Sequence, residues 1–288
     1  MHLAPAKDTD SGLSDLLNYG HLVDDGVIQC KDGSFIAGWI VIGSDTSSWS
    51  GSQKLNQSER INKAFLRLGG GWSFWYDIAS MKTREYADPD ADHFPDKTTQ
   101  LIDDECREMF EGDGLVTLER GQYLILQYTP DARKMRKAAT YLFDDGEIAD
   151  TRSDRAIAED ELRHFKASLA QFETAMHGVV KLTRLRDYNS EYEELCSDIV
   201  NYIDTRVSGK SREVAIVDDD IYLDGIFAYD YLDTAYPMKI GNDFILTLVI
   251  DGFPPSGHPG ILDGLARLGC EYLWSTRMVL QDRTRARA

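Results

Sequence analysis

Residues 18–43, NYGHLVDDGVIQCKDGSFIAGWIVIG, decide how the fold begins. They contain one apolar run at 27–30 and a longer one at 35–42, with Asp32-Gly33 between them. An Asp-Gly pair between apolar runs is typical of a two-residue type I′ turn, which needs positive φ at both central positions. The stretch therefore predicts a β-hairpin with a type I′ turn at Asp32-Gly33.

The composition is that of a soluble globular protein, with 42% hydrophobic and 28% charged residues. A chain of 288 residues can form one large domain or two ordinary ones. There are 49 acidic against 31 basic residues, giving a formal charge of −18. Because nucleic-acid affinity comes largely from Lys and Arg that displace counterions, this balance disfavours direct nucleic-acid binding, and a DNA-contacting module is the weakest reading.

The cysteines and the N-terminus indicate a cytosolic chain. The four cysteines are far apart and form no CxxC pair, which fits a reducing compartment and neither a disulfide framework nor a zinc site. Residues 1–11 lack the apolar core of a signal peptide. No apolar run reaches the roughly 20 residues that cross a bilayer, so we expect any membrane contact to be peripheral. The cysteines are Cys30, Cys106, Cys196 and Cys270.

Hydrophobic periodicity predicts the elements that follow the hairpin. In chain order these are a helix over 53–68, a strand over 72–79, a helix over 98–110, a strand over 122–128, and helices over 157–177 and 190–205. In the longer of the last two helices, apolar residues recur at spacings of three and four, as along a coiled-coil seam. This seam consists of Leu162, Phe165, Leu169, Phe172 and Met176. Together the last two helices predict a helical hairpin, or arm, over 151–208.

The C-terminal region follows the order of the N-terminal region. Strands are predicted over 221–231 and 243–251, a helix over 260–268 and a strand over 271–280. In both regions the helix ends in Arg-Leu-Gly and an aromatic-rich strand follows, although Arg-Leu-Gly is a common helix ending and the match could arise by chance.

We therefore predict an α+β fold in which two α/β units form a hairpin–helix–strand pseudo-repeat. The N-terminal unit occupies 12–150 and follows a loose tail over 1–11. The second unit occupies 209–288, and the helical hairpin over 151–208 joins the two.

The segment Ser208-Gly209-Lys210-Ser211 resembles the end of a phosphate-binding P-loop. A P-loop also needs a leading glycine, and it lies between a strand and a helix. Here the leading position is Asp204 and the segment follows a predicted helix. The sequence therefore favours a helix-terminating turn over a nucleotide site.

Asp218-Asp219-Asp220, with Asp224 nearby, could hold Mg²⁺ through carboxylate oxygens. Consecutive residues of a strand face opposite ways, however, so these side chains cannot all converge on one ion. A solvated turn before a strand is the favoured reading. A self-contained Mg²⁺-dependent phosphohydrolase that uses this cluster remains the alternative function.

No other pattern indicates catalysis or metal binding. The six histidines form no HExxH motif, there is no G-x-S-x-G, and Asp144-Asp145-Gly146 lacks the rest of a calcium loop. We assign no catalytic, cofactor-binding or metal-ligating residue. Trp49, in a polar loop, is the one candidate contact for a partner, although a loop folded over the core explains it equally well.

Two blocks carry a family resemblance. Residues 13–39 read L-x-D-L-L-x-Y-G-x-L-V-D-D-G-V-I-x-x-K-D-G-S-F-I-A-G-W. Residues 250–277 read I-D-G-F-P-P-x-x-x-P-G-I-L-D-G-L-A-R-L-x-x-E-Y-x-x-S-x-R. In this order the blocks resemble the N-terminal domain of the TrbE/CagE/VirB-type ATPases of type IV secretion and conjugation.

The resemblance implies a docking and assembly domain that links the ATP-driven motor to channel components at the inner membrane. The implied partners are a small membrane subunit, a channel scaffold and other copies of the protein, with no direct nucleic acid. ATP and Mg²⁺ would belong to a C-terminal domain that carries the Walker A and B motifs, which this sequence lacks. We therefore expect this chain to be no enzyme by itself, to hold no cofactor, and to be cytoplasmic and peripheral to the inner membrane.

Overall fold

A computed structural model describes residues 12–83, 86, 93–112, 117–130, 151–216, 222–250, 256 and 263–281. Up to residue 130 the elements are α1 Leu13–Leu16, β1 Tyr19–Asp24, β2 Val27–Cys30, β3 Phe35–Ile42, α2 Gly51–Leu66, β4 Trp72–Thr83, α3 Lys97–Glu111 and β5 Thr117–Tyr128. After residue 150 they are α4 Thr151–Met176, β6 Lys181–Arg184, β7 Asp187–Asn189, β8 Leu195–Ser197, α5 Asp198–Ser208, α6 Leu223–Phe227, β9 Leu232–Asp233, β10 Lys239–Ile240, β11 Asp243–Phe244, a 3₁₀ helix Asp263–Arg267 and β12 Tyr272–Val279.

The predicted α+β class is confirmed: helices accompany a seven-stranded sheet with the strand order β1-β2-β3-β5-β4-β12. The seventh strand, β6, pairs with β3 along Trp39–Ile42, next to the stretch where β2 pairs with β3. The pairings of β3 with β2, β5 and β6 are all antiparallel. β3 is therefore hydrogen-bonded on both edges and lies at the centre of the sheet.

The chain forms two compact units. The first contains residues 1–76, 123–249 and 276–288, and the second contains residues 77–122 and 250–275. These units do not follow the predicted boundaries at 150 and 208. The predicted tail over 1–11 and most of the predicted connector after β5 lie outside the described residues.

The hairpin of β2 and β3 is confirmed, but its predicted type I′ turn is wrong. Of the two central residues only Gly33 has positive φ, at 79°, and its N–H donates to the Cys30 carbonyl. The Asp32 carboxylate accepts hydrogen bonds from the backbone N–H and the hydroxyl of Ser34. This Asp side chain builds a turn in which a single left-handed glycine closes a three-residue loop.

A second hairpin, which the sequence did not predict, precedes the first. β1 pairs antiparallel with β2, with Asp24 opposite Val27, and Asp25-Gly26 forms the connection. Gly26 has φ of 60°, and a Cβ there would lie 2.0 Å from the Leu185 carbonyl oxygen. Both observations require glycine at this turn.

In the first unit, helices cover both faces of the sheet. Successive side chains of a strand point to opposite faces, so apolar residues on both faces need such a cover. On β3, Phe35, Ala37 and Trp39 belong to one core cluster, while Ile36 belongs to the other. The first cluster is completed from α2 and α4, and the second from α5 and α6. Strands buried on both faces read as nearly continuous apolar runs, as residues 35–42 do.

The long predicted helix over 157–177 is confirmed and begins earlier, at Thr151. Its seam is buried in the first core cluster, where Phe165, Leu169, Phe172 and Met176 pack against β3, β5 and α2. This helix is therefore part of the core of the first unit.

The second predicted helix is wrong over 190–197. Residues 187–197 form the two-stranded β7–β8 hairpin, and α5 begins only at Asp198. Glu193 has a positive φ of 60° in the connection between β7 and β8. The buried strand residues just before α5 continue its apolar spacing, which extended the predicted helix too far toward the N-terminus.

Several later predictions also change. Residues 223–227, predicted as strand, form the short helix α6, and the predicted strand over 243–251 is regular only at Asp243–Phe244 among its described residues. The predicted final strand is confirmed as β12. Among the described residues, the helix predicted over 260–268 is a 3₁₀ helix over Asp263–Arg267. Because 251–255 and 257–262 lie outside the described residues, the pseudo-repeat stays a prediction.

We expect Gly26→Ala to lower the free energy of unfolding by at least about 2 kcal/mol, because it combines left-handed strain with a clash against backbone. Urea unfolding measures the effect. Gly51→Ala is the matched control, since nothing lies within 4 Å of a Cβ at this position in α2. A Gly26→Ala variant as stable as the control would contradict the close approach of the turn to Leu185.

Candidate functional site

Trp49, the candidate partner contact, lies in the loop between β3 and α2 and is half-buried. Its backbone N–H donates to the Thr46 carbonyl. The next residue, Ser50, is the N-cap of α2 and accepts a hydrogen bond from the Gln53 backbone. The loop is thus ordered by turn and cap hydrogen bonds, and the partner contact at Trp49 stays a prediction.

The P-loop-like segment forms a helix-terminating turn, as predicted. α5 ends at Ser208, and Gly209 caps it in the left-handed conformation with φ of 74°. Lys210 Nζ donates to Asp230 at 2.9 Å and lies 3.6 Å from Asp243. The hydrogen bond to Asp230 raises the pKa of Lys210. The lysine that a P-loop would direct at phosphate is therefore engaged with two carboxylates.

A buried ion pair fixes the same turn to α5. Arg212 donates to both carboxylate oxygens of Asp204, at 2.6 and 2.8 Å, and Asp204 is fully buried. The Arg212 guanidinium also lies over the Tyr229 ring, 3.6 Å from its centroid. A two-point Arg–carboxylate pair is strong and directional, so it holds the 208–212 turn and the region of Tyr229 to the helix.

The aspartate cluster is only partly described, since Asp218, Asp219 and Asp220 lie outside the described residues. Asp224 begins α6 in a largely buried position, and one of its oxygens pairs with Lys31 Nζ at 2.5 Å. Its other oxygen, Oδ1, is buried without a hydrogen bond. Within the described ranges no group of three His, Cys, Asp or Glu residues could hold a metal ion. The Mg²⁺-dependent alternative therefore has no support from Asp224, and for the other three aspartates it stays a prediction.

The cysteines are free thiols. Cys30 and Cys196 are buried, while Cys270 is exposed. Burial raises the pKa of Cys30 to about 12, so this thiol is un-ionised at neutral pH. An un-ionised buried thiol is inert as a nucleophile, and Cys30 is a core residue of the second cluster.

The first unit contains a charged cleft between α4, β6 and the β1–β2 turn. One recess of about 840 Å³ lies beside the end of α4, and an adjoining recess of about 300 Å³ lies beside the turn. Both recesses are lined by Glu173, Arg184 and Arg186. The cleft is thus bounded by charges of both signs.

Inside the cleft, Arg184 is the central group. Its guanidinium donates to the Gly26 carbonyl, lies 3.9 Å from Glu173 and stands over the Trp39 ring. Glu173 in turn accepts a hydrogen bond of 2.7 Å from the Trp39 indole N–H. Burial lowers the pKa of Arg184, and the nearby Glu173 opposes this shift.

The two aspartates before Gly26 are also paired across the cleft. Asp24 forms an ion pair with Lys166 of α4. Asp25 accepts from the Arg186 guanidinium at 2.6 Å and from the Asp187 backbone N–H at 2.9 Å. Because its charges already bind one another, the cleft holds the turn in place and we assign it no catalytic role.

Asp187 completes this network from β7. Its Oδ1 accepts hydrogen bonds from the Gly26 N–H at 3.0 Å and the Ser197 hydroxyl at 2.6 Å. Burial is the largest cause of its raised pKa, and the nearby Asp25 and Asp24 act in the same direction, while both hydrogen bonds oppose the shift. Apart from the turn sequence Asp-Asp-Gly at 24–26, no local pattern in the sequence indicates this network. The reason is that the groups paired with Asp25 lie about 160 residues away along the chain.

Arg212→Ala leaves the Asp204 charge buried and unpaired, so we expect a loss of about 2–3 kcal/mol in the free energy of unfolding. Urea unfolding of this variant is compared with Lys210→Ala, which removes a neighbouring positive charge from an exposed position. The second variant should lose much less. Equal losses would show that the Asp204 pair does not hold the turn.

Asp187→Asn keeps the acceptor oxygen but removes the half-buried charge. A carboxyl whose pKa is raised on folding contributes most below its unfolded pKa and loses that contribution as pH rises through the folded pKa. We therefore expect the stability of the variant, relative to the wild type, to increase as the pH rises from about 4 to 7. Thermal unfolding across this range measures the difference, with Asp187→Ala as the control that loses both hydrogen bonds. A relative stability that falls with pH would contradict the assigned direction.

Comparison with known proteins agrees with the resemblance of the two sequence blocks. A family model described as the N-terminal domain of the type IV secretion system ATPase VirB4/TrbE matches residues 26–135. The chain is 32% identical over 294 residues to the conjugal transfer protein TrbE of Rhizobium radiobacter, which covers 98% of this chain and 34% of the relative. It therefore spans about a third of the length of that relative.

In Sinorhizobium fredii, two separate proteins named as successive portions of a probable conjugal transfer protein TrbE also match. The chain is 37% identical over 147 residues to the first portion, covering 49% of this chain and 95% of that relative. It is 24% identical over 128 residues to the second portion. Among the residues that the structure describes, no helix is both long and apolar enough to cross a membrane. On these matches, the chain belongs to the family of the N-terminal domain of the VirB4/TrbE ATPases of type IV secretion.

Proposed function

We propose that this chain is the docking and assembly domain of a conjugative-transfer ATPase, and that it links the motor to channel components at the inner membrane. The observation that carries the proposal is the match to the N-terminal domain of this family, together with relatives named conjugal transfer protein TrbE. The proposed partners are a small inner-membrane subunit, a channel scaffold and other copies of the protein. The proposed location is the cytoplasmic side of the inner membrane, with peripheral association.

The first unit supports this role as a rigid body. Its sheet is covered on both faces, and the buried Trp39, Phe35 and Phe165 lie in one continuous cluster. A domain whose surfaces must stay in register with several partners benefits from such preorganisation, because little ordering entropy is then lost on binding. The formal charge of −18 favours basic protein partners over nucleic acid.

The state of Lys210 supports assigning ATP and Mg²⁺ to a C-terminal domain. Its ammonium group pairs with Asp230, and the carboxylates of Asp230 and Asp243 beside it would repel the phosphates of a nucleoside triphosphate. We therefore propose that this chain neither binds nor hydrolyses nucleotide.

Competition in donor cells tests the proposal. The chain is expressed in a strain that carries an intact homologous conjugation system, at about a tenfold excess over the endogenous TrbE. If it occupies the docking positions, transfer frequency should fall by about tenfold through mass action. Mating assays measure the frequency, and immunoblotting of membrane fractions measures how much of the chain co-purifies with the inner-membrane components.

The Gly26→Ala variant serves as the control, because its lower free energy of unfolding reduces the amount of folded chain while it is synthesised from the same promoter. It should restore transfer in proportion to the loss of folded chain. An unchanged transfer frequency with the folded wild-type chain in excess, and no chain in the membrane fraction, would refute the docking role.

A further inference from the structure

Among the described residues, helix α3 of the second unit makes its side-chain contacts along one side. The Asp103 carboxylate accepts a 2.9 Å hydrogen bond from the Tyr86 hydroxyl, and Phe110 packs edge-on against the Tyr86 ring. The Arg107 guanidinium lies over the same ring, 4.7 Å from its centroid. Asp103, Arg107 and Phe110, at spacings of four and three, therefore define the packed side of α3.

Next to this packed side, α3 presents apolar side chains to solvent. Leu101, Ile102 and Met109 are 58, 59 and 62% exposed, and no residue of α3 is buried. Glu105 lies four residues after Leu101 and four before Met109, so it stands among these side chains on the same face. We call these four residues the α3 stripe.

The predicted helix over 98–110 is confirmed, and helical spacing places Ile102 and Met109 next to Cys106 and Phe110. Cys106 and Phe110 are half-buried, while Ile102 and Met109 remain in water. The apolar arc of α3 is therefore wider than its packed side. Apolar side chains that a helix exposes to water and does not use in packing are typical of an interaction site.

The charges around the α3 stripe decide what can cover it. Glu105 lies within the stripe, and Asp104 and Glu108 are exposed next to it on the helix. The positive charge of Arg107 is engaged by Asp103 and Glu111, at 3.6 and 3.8 Å. Within the part of the chain that the structure describes, the stripe is thus an apolar surface whose acidic border has no cation paired with it.

This border selects among three occupants. An anionic bilayer would be repelled, because peripheral helices bind such membranes through Lys and Arg. A second copy of the chain would bring the same carboxylates against this border. An amphipathic helix with Lys or Arg beside its apolar residues would cover the stripe and pair with Glu105, as in helix–helix seams with charged flanks.

We propose that the α3 stripe is the docking site for an amphipathic helix of a partner protein that carries basic residues beside its apolar face. This inference rests on the proposed docking function and names the surface and the chemistry of one partner. Glu105 fixes the register of the partner helix, and Leu101, Ile102 and Met109 contact its apolar residues.

A defined probe tests the proposal on the whole chain. The probe is a fluorescein-labelled helical peptide of about 20 residues, with Leu at helical spacing and Lys on the flanking positions. A second peptide has the same Leu positions and Glu in place of Lys. Fluorescence anisotropy should show saturable binding of the basic peptide only, and any binding to vesicles that contain anionic lipid should be the same for the wild type and for the stripe variants.

Three variants assign the binding to the stripe. Glu105→Lys, and the double change Ile102→Ser with Met109→Ser, should each weaken the basic peptide by at least about tenfold, since they remove the charge pair or the apolar contact. Both changes affect exposed residues, so folding should be retained, as circular dichroism checks. Glu191→Lys changes net charge equally at an exposed position between β7 and β8, and it should bind like the wild type.

Equal binding to Glu105→Lys and Glu191→Lys would mean that the peptide responds only to net charge, which overturns the proposal. So would no binding to the wild type, equal binding of the acidic peptide, or binding to anionic vesicles that the Ile102→Ser and Met109→Ser double variant loses. The mating assay separates this inference from the docking function. If the wild-type chain and the Glu105→Lys variant suppress transfer equally, the chain docks through another surface. That result excludes the α3 stripe as the docking site and leaves the docking function standing.

Discussion

The turn at Gly26 brings together segments of the chain that are about 160 residues apart, and the first unit depends on this close approach. Its backbone passes so near Leu185 that a Cβ has no room, while its N–H and carbonyl are held by Asp187 and Arg184. The segment that contains Arg184 and Asp187 also supplies β6, which pairs with the central strand β3. Arg184 forms an ion pair with Glu173 of α4. Steric fit and opposite charges thus join strands β1 to β3, α4 and the β6–β7 region into one core. The turn that does this is the Asp-Asp-Gly of the first of the two sequence blocks that resemble the family.

The helices and longer strands could be predicted because their signals are local. The apolar seam of α4 and the cap and glycines that bound α2 lie within a few turns of the residues they organise. β6, β7 and β8 could not be predicted, since strands of three or four residues form only where a partner edge is available. The partner of β6 is Trp39–Ile42, far away in the chain. For the same reason the sequence predicted the helix-terminating turn before Lys210 but could not identify Asp230 and Asp243 as the partners of this lysine.

The charges beside Gly26 in the first unit are paired with one another, whereas α3 in the second unit exposes apolar side chains around a carboxylate. The cleft beside Gly26 pairs each of its aspartates with a cation of α4 or of the β6–β7 region. On α3, by contrast, Glu105 stands among three exposed apolar side chains. In the proposed assembly domain, stability and recognition would thus be carried by different residues, the paired charges beside Gly26 and the exposed side chains of α3.

The central claim is that this chain works through its surfaces and handles no nucleotide. Isothermal titration calorimetry of the whole chain with Mg-ATP, beside the Lys210→Ala variant, tests it most directly. We expect no binding heat above dilution for either protein, because Lys210 is paired with Asp230 and bordered by Asp243. Stoichiometric binding to the wild type that Lys210→Ala abolishes would contradict the claim and would make the turn after α5 a nucleotide site.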